Sequence, residues 1–372
     1  MFSHRREAST GNQDAFRGHR AVPRFPVEPP RTRLPSDQIE GIFKHRIFPA
    51  YRDGLARSTS NRQPMALFII GQPGSGKSSV EGPLLTNLGY PKLSSLDGDD
   101  LYVYHPSYES FAGKDDIHAT QACDPDVDQW SGMLFNHAVY SRASFVLHFS
   151  PCPGVDERME ALKRQGYRVE VAFVAVNDNI SRQGIVDRYF AARSEKGYGR
   201  WVDLEVHDNL YPAVPRLAGL VNQKKCADAA YVVVRGGEIV HRQHIKSDGN
   251  WSYTPRGIAT VINDVRERKW TPGQAKDFLD RQERIGDWAG RTRSPLPDLP
   301  DKVYEIGIHA NPMIKSAFTP SIQIPATVRT SVAARIRPSG SSGIVPQSNP
   351  YNYEYAAPRI PDQQRKQHTR LV

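Results

Sequence analysis

Residues 65–78 read Met65-Ala66-Leu67-Phe68-Ile69-Ile70-Gly71-Gln72-Pro73-Gly74-Ser75-Gly76-Lys77-Ser78, six apolar residues running straight into G-x-x-x-x-G-K-S. The apolar run has the length of a buried strand. The pattern after it is a P-loop only if a helix follows, so that backbone N–H groups and a helix N-terminus converge on phosphate oxygens. Ser79 to Leu88 supplies that helix, with Gly89 as its stop and Pro83 as a flaw inside it. The loop Gly71, Gln72, Pro73, Gly74, Ser75, Gly76, Lys77 and Ser78 is therefore expected to bind ATP or GTP. Lys77 is expected to reach the β- and γ-phosphates and the Ser78 hydroxyl to hold Mg²⁺. The alternative is a glycine-rich turn that matches by chance, and the agreement of strand, loop and helix disfavours it.

Working outward, Ser36 opens a helix whose apolar face is Ile39, Ile42, Phe43, Ile47 and Phe48. Further strands are expected at Lys92–Leu96, Ser144–Phe149 and Val169–Val176, and a hairpin at Ala230–Val240 turning on Gly236-Gly237. Helices are expected at Val155–Gln165, Asp178–Arg193 and Asp203–Val221, and another beginning at Thr271-Pro272. This alternation implies an α/β fold of the P-loop NTPase type, a doubly wound, mostly parallel sheet flanked by helices. Ligands of such sheets sit at the carboxyl ends of strands. The expected organisation is a disordered basic leader at 1–35, a P-loop domain at 36–245, a helical extension at 246–317 and a disordered basic tail at 318–372.

Charge supports that division. The 372-residue chain carries a formal +9, of which residues 1–35 hold +4 and residues 318–372 hold +5, leaving the middle neutral. A neutral core is a poor partner for a phosphate backbone, so nucleic acid is not the expected ligand. No run approaches the roughly 18 apolar residues of a membrane span, and three widely spaced cysteines, Cys123, Cys152 and Cys226, fit a reducing compartment and no metal pattern. The expected location is cytoplasmic. The Arg- and Pro-rich composition of the first segment would also suit an unfolded secretion leader.

A P-loop alone does not separate a kinase from a GTPase or a motor. Asp97, Asp99 and Asp100 follow Lys77 by a little over twenty residues, where a small-molecule kinase keeps the carboxylate that deprotonates an acceptor hydroxyl. A solvated acidic turn is the competing reading. Tyr104, His105 and Tyr108 come next and are candidates for stacking on a base or sugar. Arg188 and Arg200 are candidate stabilisers of the transferred phosphoryl group, Arg200 following a glycine-rich Lys196–Gly199 segment expected to act as a lid.

These residues together resemble the zeta-toxin family of P-loop kinases. The resemblance rests on residues 71–78, on Asp97-Gly98-Asp99 with His105-Pro106, on Asp187-Arg188-Tyr189, and on Arg200 with His207-Asp208, and it spans roughly residues 40–245. It implies that Lys77 and Ser78 bind nucleotide phosphate and Mg²⁺, that Asp99 is the catalytic base, and that Arg188 and Arg200 clamp the transferred phosphate. It implies as substrate a sugar hydroxyl of UDP-N-acetylglucosamine, toxicity through cell-wall synthesis, and a small antitoxin protein as partner. The chain departs from the family on the acceptor side. His148-Phe149-Ser150-Pro151-Cys152 stands where the family shows Glu-Gly-Thr, and the region around Ser131-Gly132-Met133 has no carboxylate. Asp97, His105, His148 and Ser150 are therefore candidate residues for an altered acceptor. Two further readings stay open: an effector branch of these kinases that phosphorylates a ribose hydroxyl of NAD, and a degenerate member that binds ATP only as an interaction module.

Overall fold

The computed structural model describes residues 33–58, 63–90, 93–291 and 296–319. The expected leader and tail lie outside the described residues except for 33–35 and 318–319. The chain opens with α1 (Ser36–Ile42), which passes through a π-helical turn at Phe43–Ile47 into α2 (Phe48–Ser58). Then come β1 (Met65–Ile70), α3 (Lys77–Leu88), β2 (Ser94–Ser95), a 3₁₀ helix at Gly98–Tyr104, α4 (Tyr108–Lys114), α5 (Ala119–Tyr140) and β3 (Phe145–Phe149). The second half holds α6 (Val155–Arg164), β4 (Arg168–Val174), α7 (Asp178–Lys196), α8 (Leu204–Leu210), α9 (Ala213–Lys224), β5 (Ala229–Val233) and β6 (Ile239–His244). Three helices close the described chain: α10 (Ile258–Arg266), α11 (Pro272–Arg291) and α12 (Leu299–Phe318).

The sheet order is β2-β3-β1-β4-β5-β6, parallel except for β6, which runs antiparallel to β5 as the expected hairpin. All six residues of β1 are buried because it lies between β3 and β4 with helices on both faces. Its side chains alternate: Met65, Leu67 and Ile69 pack with Val80, Leu84 and Leu85 of α3. Ala66, Phe68 and Ile70 pack instead with α5, α6, α9 and α10. Burial of each large side chain contributes about 1.5–3 kcal/mol. Because β1 sends its helix to one face and neighbouring β3 sends α6 to the other, a crevice opens beyond their carboxyl ends.

Three expectations need correction. The strand at Lys92–Leu96 is reduced to Ser94–Ser95, since Asp97 turns the chain into the 3₁₀ helix by accepting the Asp99 N–H at 3.0 Å. The helix at Asp203–Val221 is two helices, broken at Pro212, which has no N–H to continue the ladder. The long helix α5, with Pro125 inside it, was not anticipated, because its apolar pattern is weak and proline argues against a helix interior. A separate apolar cluster joins Ile185, Val186 and Tyr189 of α7 and Trp201 to Phe278, Ile285, Val303 and Ile306 of α11 and α12.

Candidate active site

A cleft of 2040 Å³ lies at the carboxyl ends of the parallel strands. Its floor is the P-loop. Gly74 has φ +72°, and a Cβ there would stand 1.9 Å from the Ser181 carbonyl oxygen, so both conformation and space demand glycine. Pro73, Gly74, Gly76, Lys77 and Ser78 line the cleft. Gly71 and the side chains of Gln72 and Ser75 are buried beneath it instead. The Gln72 side chain donates to Val176 O at 3.3 Å and to Ser181 Oγ at 3.1 Å, which makes it a brace of the loop rather than a direct ligand of phosphate.

Lys77 bends over the loop and donates to the carbonyls of Gly71 at 2.9 Å and Gln72 at 3.4 Å. Burial lowers its pKa to about 8, and the positive charges of Arg188 and Arg200 push the same way against Asp99 and Asp97. Asp99, at the start of the 3₁₀ helix, forms an ion pair with Arg200. Its carboxylate is half exposed, to the cleft it lines. Enclosure there favours the neutral acid, but Arg200, then Arg188 and Lys77, outweigh it and hold the carboxyl below its ordinary range. Arg188, on α7, lines the same cleft, and burial followed by the nearby Arg200 lowers its pKa. Four sequence-distant groups expected to meet are thus brought together.

Asp97 holds the next layer. Its Oδ1 accepts the Asp99 N–H, and its Oδ2 receives His148 Nδ1 at 2.9 Å. The other ring nitrogen, Nε2, is 2.8 Å from Oε2 of Glu81 on α3, near but poorly aligned for a hydrogen bond. Burial opposes protonation of His148, yet the two carboxylates raise its pKa to about 9. With that pKa the ring carries its proton at neutral pH, tying β3 to the turn that bears Asp99. Ser150 also lines the cleft.

His105 does not. It is buried, with Nε2 3.3 Å from Asp126 Oδ2 and Nδ1 3.4 Å from Cys123 Sγ, its ring edge-on to Trp130. Tyr104 and Tyr108 also lie outside the cleft lining, and Tyr102, singled out by nothing in the sequence, lines it and carries Arg200 over its ring at 5.3 Å. His207 is buried too, linking Ser181 Oγ at 2.7 Å to Asp208 at 2.8 Å.

Two other expectations change. The segment before Arg200 is tied down by buried Asp116, which accepts from Gly199 N at 2.8 Å, Tyr189 OH at 3.1 Å and Arg193 Nη1 at 2.5 Å. This arrangement presents Arg200 from a fixed turn rather than a free lid. Although the region around Ser131 has no carboxylate of its own, Asp124 and Asp128 line the cleft with Ser131. Their spacing along α5 puts them on one helical face, and Asp124 accepts from Tyr102 OH. The carboxylates missing around Ser131–Met133 are thus supplied one and two turns upstream. A helix prediction for residues 119–140 would have revealed that face.

The cleft therefore combines a phosphate-binding loop, a lysine, two converging arginines, a carboxylate poised between them and an acidic opposite wall. Among the described residues no group of three His, Cys, Asp or Glu forms a metal cluster, and no helix is long and apolar enough to cross a membrane.

Comparison with known proteins places the chain in a family. The Zeta toxin family matches residues 50–245, more than half of the chain. Toxin PezT of Streptococcus pneumoniae serotype 4 (strain ATCC BAA-334 / TIGR4) is 25% identical over 162 residues, 41% of this chain and 61% of that protein. The alignment thus spans about three fifths of the curated relative's length. Among solved structures, that of the PezAT chromosomal toxin-antitoxin system of Streptococcus pneumoniae superposes with a TM-score of 0.57 at 16% identity, over 70% of this chain and 100% of that one. The AvrRxo1-ORF1:AvrRxo1-ORF2 structure with sulphate ions gives 0.43 at 14% identity, over 75% and 89%. With the family match covering the P-loop, the Asp97–Asp99 turn, Arg188 and Arg200, this chain belongs to the Zeta toxin family.

Proposed function

We propose that this chain is a kinase that transfers the γ-phosphoryl group of ATP or GTP to a hydroxyl of a nucleotide-type metabolite, and that it acts as a toxin. The observation that carries this reading is Asp99, paired with Arg200 and facing Lys77 and Arg188 across the P-loop. Lys77 and the loop amides hold the donor phosphates. An arriving γ-phosphate competes with Asp99 for Arg200, freeing the carboxylate to orient the acceptor hydroxyl. As the acceptor oxygen bonds to phosphorus and the bond to the β-phosphate oxygen breaks, the hydroxyl proton passes to Asp99 and the nucleoside diphosphate leaves. Arg188 and Arg200 stabilise the charge on the transferred group.

The donor set fits Mg²⁺, which binds through few protein oxygens and the phosphates themselves. Ser78 at the start of α3 would hold the ion, whose contribution is to neutralise phosphate charge. Asp124, Asp128 and Ser150 offer oxygens to acceptor hydroxyls, as a sugar or ribose requires. UDP-N-acetylglucosamine and NAD are the first acceptors to try. A small protein that occludes the cleft is the proposed antitoxin partner, and three unpaired cysteines support a reducing compartment.

The test is incubation with labelled ATP, Mg²⁺ and a panel containing both acceptors, beside Lys77→Ala and Asp99→Asn. Label should pass to one acceptor, and Asp99→Asn should lower kcat by about 10²–10⁴-fold. Full transfer by Asp99→Asn would sink the assigned base. Tight ATP binding with no transfer to any acceptor would favour a binding module.

A further inference from the structure

The donor end of the cleft is built partly from residues beyond 245, where the family match stops. Arg281, on α11, lines the cleft together with Arg235, which follows β5, and with Gly184 and Asp187 of α7, beside Pro73, Gly74 and Gly76. Arg235 lies against the loop, donating to the carbonyls of Gly74 at 2.5 Å, Ser75 at 3.4 Å and Ile180 at 3.3 Å. Burial, followed by the charge of Arg281, lowers its pKa to about 10. Arg281 is loosely held. Its Nε is closed off from solvent without a hydrogen-bond partner and faces Asp187 Oδ2 at 3.5 Å. Two guanidinium groups beside the P-loop, with Asp187 only loosely against one of them, repel each other, and an anion bound by both would relieve that repulsion.

A third arginine reaches the loop from below. Arg266, at the end of α10, is 3% exposed. Its Nη2 donates to Gln72 Oε1 at 2.9 Å and its Nη1 to Tyr211 O at 2.8 Å, while its guanidinium stacks 3.9 Å over the Tyr211 ring. With Val176 and Ser181 holding the amide nitrogen, both ends of the Gln72 side chain are fixed. The Gln72 carbonyl in turn accepts from Ser75 N at 3.2 Å and from Lys77 Nζ. The shape of the loop is therefore linked to α10 through one side chain.

We infer that α10 and α11 complete the nucleotide-donor site, Arg281 with Arg235 binding the nucleoside triphosphate and Arg266 positioning the P-loop through Gln72. This rests on the phosphotransferase reading above and adds to it a donor-binding role for a segment outside the matched family region.

The test uses the full chain, ATP with Mg²⁺, and calorimetric titration beside steady-state kinetics. Arg281→Ala should weaken ATP binding about tenfold or more and raise the KM for ATP, with kcat at saturating ATP within about twofold. Arg281→Lys should recover part of the loss, and the melting temperature without nucleotide should not move. Arg266→Gln should raise the KM for ATP and shrink the ATP-induced rise in melting temperature. Wild-type ATP affinity in Arg281→Ala overturns the direct contact, and a lowered nucleotide-free melting temperature with unchanged ATP affinity in Arg266→Gln overturns the positioning role. Lys77→Ala separates the two levels. If wild type binds ATP and Lys77→Ala does not, either result counts against this inference alone. If wild type binds no nucleotide, the phosphotransferase reading falls and takes this inference with it.

Discussion

At the scale of single residues the cleft is a balance of charges, and its pH behaviour follows from their directions. Burial and two arginines lower the pKa of Lys77 to about 8. A lysine that has lost its proton no longer attracts phosphate, so kcat/KM for ATP should fall roughly tenfold per pH unit above about 8. A profile flat to pH 10 would contradict the assignment of Lys77 to the donor phosphates. His148 acts on stability. Its pKa rises from 6.5 to about 9 on folding because Asp97 and Glu81 flank it, so protonation favours the folded state. That stabilisation is fully present below pH 6.5 and is lost as pH rises through about 9, a change on the order of 3 kcal/mol. Urea denaturation at pH 6 and pH 9.5 should show the loss in wild type and a much smaller one in His148→Gln.

At the scale of elements, two segments decide where functional groups point. The turn before Arg200 is fixed by Asp116, which joins Gly199 to Tyr189 and Arg193 of α7. Asp116→Asn replaces an acceptor with a donor facing donors, so kcat should drop about tenfold, with KM for both substrates near wild type. Faster tryptic cleavage at Lys196 would report the loosened turn, and unchanged kcat would count against it. The helix α5 presents Asp124 and Asp128 to the cleft, at what the proposed function makes its acceptor end. Asp128→Asn should raise the acceptor KM about tenfold and leave the ATP KM unchanged. An equal rise in both would remove Asp128 from the acceptor wall.

At the scale of the whole molecule, packing of α7 against α11 and α12 crosses the boundary expected at residue 245. Ile185, Val186 and Tyr189 of α7 are buried against α11 and α12, and each stands to lose about 1.5–3 kcal/mol if those helices are removed. A chain truncated after residue 245 should therefore be recovered poorly in soluble form, and the full chain should unfold in one calorimetric transition. A soluble truncated protein with the melting temperature of the full chain would show the extension to be separable.

The P-loop, the strand feeding it and the alternating pattern behind them were legible in the sequence, because each is encoded within a dozen neighbouring residues. Asp99, Arg188 and Arg200 could be singled out by residue type and by their places after the second and fourth expected strands. Other features depended on contacts between residues far apart along the chain. Nothing local says that His105 turns into the core toward Asp126, or that Pro125 sits inside a helix that lines the cleft with carboxylates. Nor does it say that Arg266 reaches back 194 positions to Gln72. Local pattern determined the fold class and the P-loop. Tertiary packing decided which polar groups share the cleft, since a side chain's charge state and direction are set by whatever packs against it.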